Sequence, residues 1–306
     1  MLEGLLQLFN FFYYLILGCI TALLPRGFLP RKDVKGKLVL ITGGGNGLGK
    51  YLAIAFGKLG SKLVLWDIDK KSLDQTVEEL KKSGVECWGY VVDVTNKNSI
   101  YETADKVKET IGAIDILINN AGIANAKPFL RTPDDALERI MNINIMAHFY
   151  TCKAFVPAMV EKKSGHIVTM ASMAGKTPSL GIVDYSTSKF AAVGFGSALG
   201  EELKVISDGT VKVTTICPYF IKTNLTANID LPSSTLLPVL EIEEAVEIMM
   251  EGILTEQTQL ILPKFGYTYS VLYNLLPTKA FYSLTETKLI KDKLLEELCK
   301  VDKKID

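Results

Sequence analysis

The sequence predicts an α/β fold: a doubly wound, seven-stranded parallel sheet preceded by an N-terminal hydrophobic helix. Two observations lead to this prediction. Short apolar runs of strand length alternate with helical patterns between residues 37 and 265, and this alternation is typical of a parallel sheet covered by helices on both faces. A separate apolar run at residues 5–24 contains no charged residue.

The composition limits the classes of protein that are possible. The 306 residues include 34 basic and 34 acidic side chains, and 48% are hydrophobic, so a disordered chain is excluded. Zero net charge and only 2 histidines argue against a nucleic-acid partner and against a histidine-rich metal site. Scattered cysteines without a CxxC pair indicate reduced thiols in the cytosol; they are Cys19, Cys87, Cys152, Cys217 and Cys299.

The first predicted element is a hydrophobic segment at residues 1–25. Its uncharged run is long enough to cross a bilayer as a helix, and a signal peptide or a buried core helix is the alternative. A signal peptide normally begins with a basic region, whereas the only early charge here is Glu3. We therefore favour a membrane anchor, either spanning or embedded as a hairpin. By the positive-inside rule the chain after it faces the cytosol, because basic residues follow at Arg26, Arg31, Lys32, Lys35 and Lys37.

A basic linker at residues 26–36 is predicted next, because Pro25 and Pro30 interrupt the hydrophobic helix. The main domain then covers residues 37–265. Its predicted strands are 37–42, 62–67, 87–92, 116–118, 166–170, 211–216 and 259–262. Its predicted helices are 50–59, 71–82, 98–110, 133–161, 186–205 and 243–254. A helical extension follows at 266–306, in which the apolar segment 267–284 is either a second membrane-facing helix or a core helix.

A glycine-rich turn joins the first predicted strand to the first helix. Glycine lets the backbone turn tightly and approach a pyrophosphate, which the free N–H groups of the helix N-terminus can bind. A purely structural turn is the alternative. The βαβ context favours a nucleotide site, for which the candidate residues are Gly43, Asn46, Gly47, Leu48 and Gly49.

Two acidic residues at strand ends are candidates for binding the adenosine half of a nucleotide. Asp67 ends the second strand, where a carboxylate can accept hydrogen bonds from ribose hydroxyls and would repel a 2′-phosphate. NAD is therefore favoured over NADP. Asp93, with Val94 beside it, follows the third strand and is a candidate partner for the adenine amino group. Either acid can alternatively be a solvated side chain or a neighbour of a helix cap.

The motifs of residues 36–265 resemble those of the short-chain dehydrogenase/reductase family. A YxxxK pair alone is common, but here the whole set occurs in the family's order, each motif beside the expected strand or helix. The resemblance implies a Rossmann fold and an oxidoreductase that acts on a CH–OH group with NAD, or alternatively NADP, as acceptor. The motifs are Thr42-Gly-Gly-Gly-Asn-Gly-Leu-Gly49, Asn119-Asn-Ala-Gly122, Asn144, Ser172 and Tyr185-Ser-Thr-Ser-Lys189.

The resemblance implies that Ser172, Tyr185, Lys189 and Asn144 form a catalytic tetrad. Tyrosine has an ordinary pKa near 10, which is too high for a base at neutral pH, and a neighbouring cation favours the phenolate. Tyr185 and Lys189 are four residues apart, so a helix places them on one face. Ser172 would bind the substrate oxygen, and Asn144 would hold a water that relays protons from Lys189.

The resemblance also implies further contacts with the cofactor. They come from Asn120, Ala121 and Gly122 in one segment, from Ile221 and Thr223 in another, and from Tyr185 and Lys189 themselves. The second segment departs from the family at Tyr219, where many members have glycine.

Segments 142–159, 165–172, 188–195 and 217–223 are most similar to a membrane-associated branch of the family. That branch contains epidermal retinol dehydrogenase, other retinol dehydrogenases and lipid-droplet 17-beta-hydroxysteroid dehydrogenases. It implies oxidation of retinol or a hydroxysteroid by a homodimer at the endoplasmic reticulum membrane or on lipid droplets. The loop 224–240 would cover the substrate, and Lys303 and Lys304 resemble a retrieval signal of the endoplasmic reticulum. An NADP-dependent carbonyl reductase of lipids and a lipid-droplet scaffold with little turnover are the alternatives.

Overall fold

A computed structural model describes residues 6–13, 16, 27–125, 127–226 and 237–285. Within them lies a 7-stranded parallel sheet with the strand order β3-β2-β1-β4-β5-β6-β7. All the predicted strands are present, and the doubly wound sheet is confirmed. The strands are β1 Leu38–Thr42, β2 Lys62–Asp67, β3 Cys87–Val91, β4 Ile116–Asn119, β5 Gly165–Met170, β6 Val211–Pro218 and β7 Gln259–Leu262.

The helices differ from the predicted ones at two places. The predicted helix 133–161 is divided by a π-helix, Asn142–Met146, and the apolar segment 267–284 forms two helices, because Pro277 has no N–H to continue the first. The described helices are α1 Gly47–Lys58, α2 Lys70–Lys82, α3 Lys97–Thr110, α4 Asp134–Met141, α5 Ala147–Glu161, α6 Val183–Ile206, α7 Ile242–Leu254, α8 Phe265–Leu275 and α9 Thr278–Thr285.

Helices cover both faces of the sheet. On one face, Ile41 and Leu65 pack in a cluster with Phe56 of α1 and Met249 of α7. On the other face, alternate strand residues such as Leu40 and Leu117 pack with residues of α3, α5 and α6. Because the strands are parallel, all their carboxyl ends meet at one edge of the sheet, which we call the carboxyl edge, and all their amino ends meet at the opposite amino edge.

The described part of the predicted basic linker packs along the amino edge. The Lys32 N–H donates to the Leu254 carbonyl over 2.8 Å, and the Gly36 N–H donates to the Gly60 carbonyl over 2.8 Å. Val34 is only 3% exposed and belongs to the core. Residues 27–36 are thus an ordered strap, which we call the amino-edge strap.

Most of the predicted membrane anchor lies outside the described residues. Residues 6–13 and Ile16 are helical, and their large apolar side chains are exposed: Leu6, Leu8, Phe9, Phe11, Phe12, Tyr13 and Ile16. Among the residues that the structure describes, no helix has the length and apolar character needed to cross a membrane. Cys19, Cys299, most of the loop 224–240, and Lys303 and Lys304 also lie outside the described residues.

Candidate active site

The glycine-rich turn forms the first wall of the site at the carboxyl edge. Gly43 and Gly47 have φ angles of +64° and +51°, a region that side chains other than glycine seldom adopt. Asn46 is the extended N-cap residue of α1, and Leu48 packs against the core behind it. A Cβ on Gly49 would lie 2.0 Å from the Gly43 carbonyl oxygen, so the turn packs directly on the start of α1.

Residues 119–122 form the second wall and are hydrogen-bonded to the turn. The N–H groups of Asn120 and Ala121 donate to Thr42 Oγ1 over 3.0 and 3.1 Å. Asn120 Nδ2 donates to the carbonyls of Thr42 and Gly43 over 2.9 and 3.2 Å. The ends of the neighbouring strands β1 and β4 are therefore fixed to each other at the place where the sequence predicts a nucleotide.

Asp67 and Asp93 lie farther along the same edge. Asp67 Oδ2 accepts a hydrogen bond from the Gly45 N–H over 2.9 Å, and no basic side chain among the described residues forms an ion pair with it. Asp93 Oδ1 accepts from both the N–H and the hydroxyl of Thr95, over 2.9 and 2.8 Å. Asp93 thus contributes to a local turn before α3, with Val94 9% exposed beside it, while Asp67 has no counterion in the part of the chain that the structure describes.

Tyr185, Lys189 and Ser172 meet where β5 ends. Lys189 Nζ donates to the Met170 carbonyl over 2.8 Å and lies 5.7 Å from the centre of the Tyr185 ring. Ser172 Oγ accepts from the Ala174 N–H over 3.1 Å, and its hydroxyl is a hydrogen-bond partner of Tyr185. The structure therefore brings together the three residues that the sequence placed on a strand and on a helix.

Asn144 lies in the π-helix and is fully buried. Its Oδ1 accepts from the Ile123 N–H over 2.9 Å, and its Nδ2 donates to the Ile123 carbonyl and to Ser188 Oγ over 3.0 and 2.9 Å. A Cβ on Gly122 would lie 3.3 Å from Asn144 Oδ1 and 3.5 Å from Lys189 Nζ. A π-turn widens a helix locally and is frequent at functional sites; here it carries Asn144, which lies beside Gly122 as Lys189 does.

Burial dominates the protonation of the tyrosine and the lysine. It raises the pKa of Tyr185, and the hydrogen bond with Ser172 acts in the opposite direction. Burial also lowers the pKa of Lys189 to about 8. The sequence predicts an effect of the lysine cation on the pKa of the phenol. In the structure the loss of water also disfavours both the phenolate and the ammonium.

The segment after β6 completes this edge of the sheet. Ile221 is buried and pairs with Leu240 in an isolated bridge. The Thr223 N–H donates to Thr226 Oγ1 over 3.1 Å, and the ring of Tyr219 packs edge-on against Phe220 with 4.8 Å between ring centres. Apart from Asn144, Tyr185 and Lys189, which lie on helices, the predicted site residues thus end or follow strands. Within the described ranges, no cluster of potential metal ligands occurs.

Three polar residues near the tyrosine were not among the predicted site residues. Thr42 joins the two walls, Asp184 accepts from the Tyr185 N–H over 2.8 Å, and Asn125 donates to Asp184 over 2.5 Å. Thr42 lies inside the glycine-rich motif, which is a signal for it. No local pattern distinguishes Asn125 or Asp184 from other polar residues of loops and first helical turns.

A glycine-rich turn, together with a half-buried tyrosine and a buried lysine at the same edge of a parallel sheet, is typical of an α/β oxidoreductase. Comparison with known proteins narrows this class. Residues 37–233 match the family model described as short chain dehydrogenase, so the chain belongs to the short-chain dehydrogenase family, as its motifs predict. It is an enzyme that acts on CH–OH groups.

Curated relatives extend the match over most of the chain. The chain is 42% identical to epidermal retinol dehydrogenase 2 of Homo sapiens over 87% of this chain and 86% of the relative. It is also 42% identical to estradiol 17-beta-dehydrogenase 11 of Macaca fascicularis, over 90% of this chain and 91% of the relative. The predicted resemblance to this branch is confirmed.

Solved structures agree with the fold. A short chain dehydrogenase/reductase from Burkholderia phymatum, solved in complex with NAD, has a TM-score of 0.73 and 24% identity, covering 79% of this chain and 94% of that one. A short-chain type dehydrogenase/reductase from Mycobacterium marinum has a TM-score of 0.70 and 27% identity, covering 77% of this chain and 97% of that one.

Proposed function

We propose that the enzyme oxidises the hydroxyl group of a lipophilic alcohol, retinol or a hydroxysteroid, with NAD as the hydride acceptor. The observation that carries this proposal is the meeting of Tyr185, Lys189 and Ser172 at the end of β5. Relatives that are 42% identical and are named for retinol and estradiol support the class of substrate.

The residues at the carboxyl edge fit a nicotinamide dinucleotide. Beyond Gly47 the space in front of the turn is open, because a Cβ there would meet nothing within 4 Å, and a helix N-terminus attracts a pyrophosphate. Asp67 has no basic partner among the described residues, so its charge favours ribose hydroxyls over a 2′-phosphate. The proposed cofactor contacts are Gly43, Asn46, Gly47, Leu48, Gly49, Asp67, Asp93, Val94, Asn120, Ala121, Gly122, Tyr185, Lys189, Ile221 and Thr223.

In the proposed reaction the proton and the hydride of the alcohol go to different acceptors. Bound NAD supplies the hydride acceptor, while the Tyr185 phenolate accepts the hydroxyl proton and Ser172 Oγ donates a hydrogen bond to the substrate oxygen. Lys189 stabilises the phenolate by its positive charge. Asn144 holds the water through which the proton passes from Lys189 to solvent. Because burial disfavours each charge alone, each charge stabilises the other.

A membrane or lipid-droplet location fits the substrate, since such alcohols concentrate in lipid. The exposed apolar side chains of the helical residues 6–13 support a proposed anchor at 1–25, followed by the basic segment 26–36, the dehydrogenase domain 37–265 and a helical extension 266–306. The basic residues after the anchor support a cytosolic catalytic domain on the endoplasmic reticulum or on droplets. We propose a homodimer on the family resemblance alone.

The test uses membranes that carry the full chain, supplied with NAD and either retinol or a panel of hydroxysteroids. We expect NADH and the matching aldehyde or ketone to form. Tyr185→Phe should lower kcat by about 10³-fold, because the general base is lost, while Tyr101→Phe, a control in α3 whose ring pairs with Tyr150, should not. Turnover that survives Tyr185→Phe would refute the mechanism. Faster reduction with NADPH would favour a carbonyl reductase, and the absence of turnover would favour a scaffold.

A further inference from the structure

The backbone of Tyr185 is hydrogen-bonded on both sides to side chains that lead to the same short segment, residues 123–125. The Tyr185 N–H donates to Asp184 Oδ1 over 2.8 Å. The Tyr185 carbonyl accepts from Ser188 Oγ over 2.8 Å. Two arms of hydrogen bonds therefore start at the residue whose phenol is the proposed base.

The first arm runs through Asp184 to Asn125. Asp184 is 7% exposed and lies in the first turn of α6, where a carboxylate satisfies a free N–H and interacts favourably with the helix dipole. Its Oδ2 accepts from Asn125 Nδ2 over 2.5 Å, and the same nitrogen lies 3.4 Å from the Ala136 carbonyl oxygen in α4. This arm joins α6 to the segment that continues from β4.

The second arm runs through Ser188 and Asn144 to Ile123. Ser188 Oγ accepts from Asn144 Nδ2 over 2.9 Å, and the Asn144 amide bonds both the N–H and the carbonyl of Ile123. Because Ile123 and Asn125 belong to one segment, the two arms form a closed ring of hydrogen bonds. The backbone of Tyr185 is part of this ring. Gly122, which approaches Lys189 Nζ, immediately precedes that segment.

We propose that Asp184 and Asn125 are positioning residues that hold Tyr185 in register with Gly122 and Lys189 by closing this ring. The hydrogen bonds of these two side chains go to backbone groups and to each other, so they act through the backbone of Tyr185 and not on its phenol. A displacement of about 1 Å at a reacting group can cost on the order of 100-fold in rate, so opening the ring should lower kcat. The inference rests on the proposed role of Tyr185.

The test reverses the polarity of the Asp184–Asn125 hydrogen bond. Asn125→Asp places two carboxylates in contact, and their repulsion should lower kcat about 100-fold with the KM for NAD nearly unchanged. In the double variant Asp184→Asn with Asn125→Asp, the new amide donates to the new carboxylate and still accepts from the Tyr185 N–H. We expect kcat to recover to within about fivefold of the unmodified enzyme, since the pair is coupled.

Asp208→Asn is the matched control, because Asp208 pairs only with Lys163 at an exposed position of the described chain, and kcat should not change. If Asn125→Asp does not fold, Asn125→Ala is the milder break, because it removes the amide that donates to Asp184 without adding a charge, and its kcat should also fall. A single variant with unchanged kcat, or a double variant with unchanged Tm and no recovery, would overturn the inference. Either result would leave the proposed function intact, provided that turnover still requires Tyr185. Full turnover in Tyr185→Phe would instead refute the proposed function.

Discussion

Two lysines at opposite edges of the sheet have the same perturbed pKa and different surroundings. Burial lowers the pKa of Lys189 at the carboxyl edge and of Lys32 at the amino edge to about 8 in each case. Lys189 donates to the Met170 carbonyl, and Lys32 donates to His166 Nδ1. Lys32 also has a carboxylate, Glu256, at 3.6 Å, whereas no carboxylate of the described residues pairs with Lys189.

The amino edge is a closed system of hydrogen bonds. Because the Lys32 ammonium can only donate, His166 Nδ1 accepts and His166 Nε2 carries the proton. His166 Nε2 therefore donates to Thr214 Oγ1 over 2.8 Å, and the Thr214 hydroxyl donates to the Gln257 carbonyl over 2.6 Å. The series ends on the Gln257 carbonyl. Lys189 likewise donates to a carbonyl, that of Met170, but it also lies beside the ring of Tyr185. A lowered pKa thus reports burial, and the groups around the lysine indicate whether it serves structure or chemistry.

The largest expected effect separates the two lysines. Lys189→Met should lower kcat by about 10³-fold, because the phenolate loses its cation. Its free energy of unfolding should change little, because the removal of a buried ammonium offsets the donor that the Met170 carbonyl loses. Lys32→Met should leave kcat unchanged and lower the free energy of unfolding by about 1–3 kcal/mol, because both His166 Nδ1 and the Glu256 carboxylate lose the partner that Lys32 supplies. Steady-state kinetics and urea denaturation of both variants provide the measurements.

The two variants serve as controls for each other, because each replaces a buried lysine of similar pKa with the same apolar residue. A loss of kcat in Lys32→Met that equals the loss in Lys189→Met would contradict the division of roles. So would a Lys189→Met enzyme that keeps full turnover.

A smaller effect is expected from two aspartates, one at each edge of the sheet, which differ in their roles as the two lysines do. Asp115, at the amino edge, accepts from the Leu38 N–H and pairs with Lys162, each over 2.9 Å. Asp67, at the carboxyl edge, accepts hydrogen bonds only from backbone N–H groups among the described residues. Asp67→Asn should raise the NADP-to-NAD ratio of kcat/KM by about 100-fold, because the repulsion of a 2′-phosphate disappears. Asp115→Asn should leave this ratio unchanged, and an unchanged ratio in both variants would remove Asp67 from cofactor selection.

The strands and the Tyr185–Lys189 pair could be predicted because their signals are local. In β1, every residue of Leu38–Thr42 is buried, so its apolar run is continuous, and a four-residue spacing on a helix fixes a common face. The hydrogen bonds Asn125–Asp184 and Lys32–His166 join residues 59 and 134 positions apart. No periodicity connects such pairs, and only the fold brings them together.

The π-helix could not be predicted for a related reason. Residues 142–146 contain no proline or glycine that would interrupt a helix, so the sequence indicates one continuous α-helix over 133–161. The wider turn accompanies the hydrogen bonds of the buried Asn144 amide with both backbone groups of Ile123. Those bonds join the helix to Ile123 in the segment that follows β4. A helical pattern gives no information about such a contact.

The smallest expected effect concerns the two histidines, which are buried near the two lysines. Burial, together with the charge of Lys189, lowers the pKa of His148 to about 3. Burial and the charge of Lys32 lower the pKa of His166. Below pH 6.5 the unfolded chain therefore binds protons that the folded chain does not, so stability falls as pH decreases towards 3, by about 1.4 kcal/mol per pH unit for each histidine. Urea denaturation of His148→Leu between pH 6.5 and pH 5 should show about half of the unmodified chain's loss in the free energy of unfolding.

The two histidine variants differ in what they leave behind. Neither ring nitrogen of His148 has a hydrogen-bond partner among the described residues, so His148→Leu leaves no group unpaired. His166→Leu would remove a partner of both Lys32 and Thr214 and should be less stable at every pH. If the free energy of unfolding of His148→Leu depends on pH as that of the unmodified chain does, His148 is not protonated on unfolding. The difference between the two edges would then concern their lysines and not their histidines.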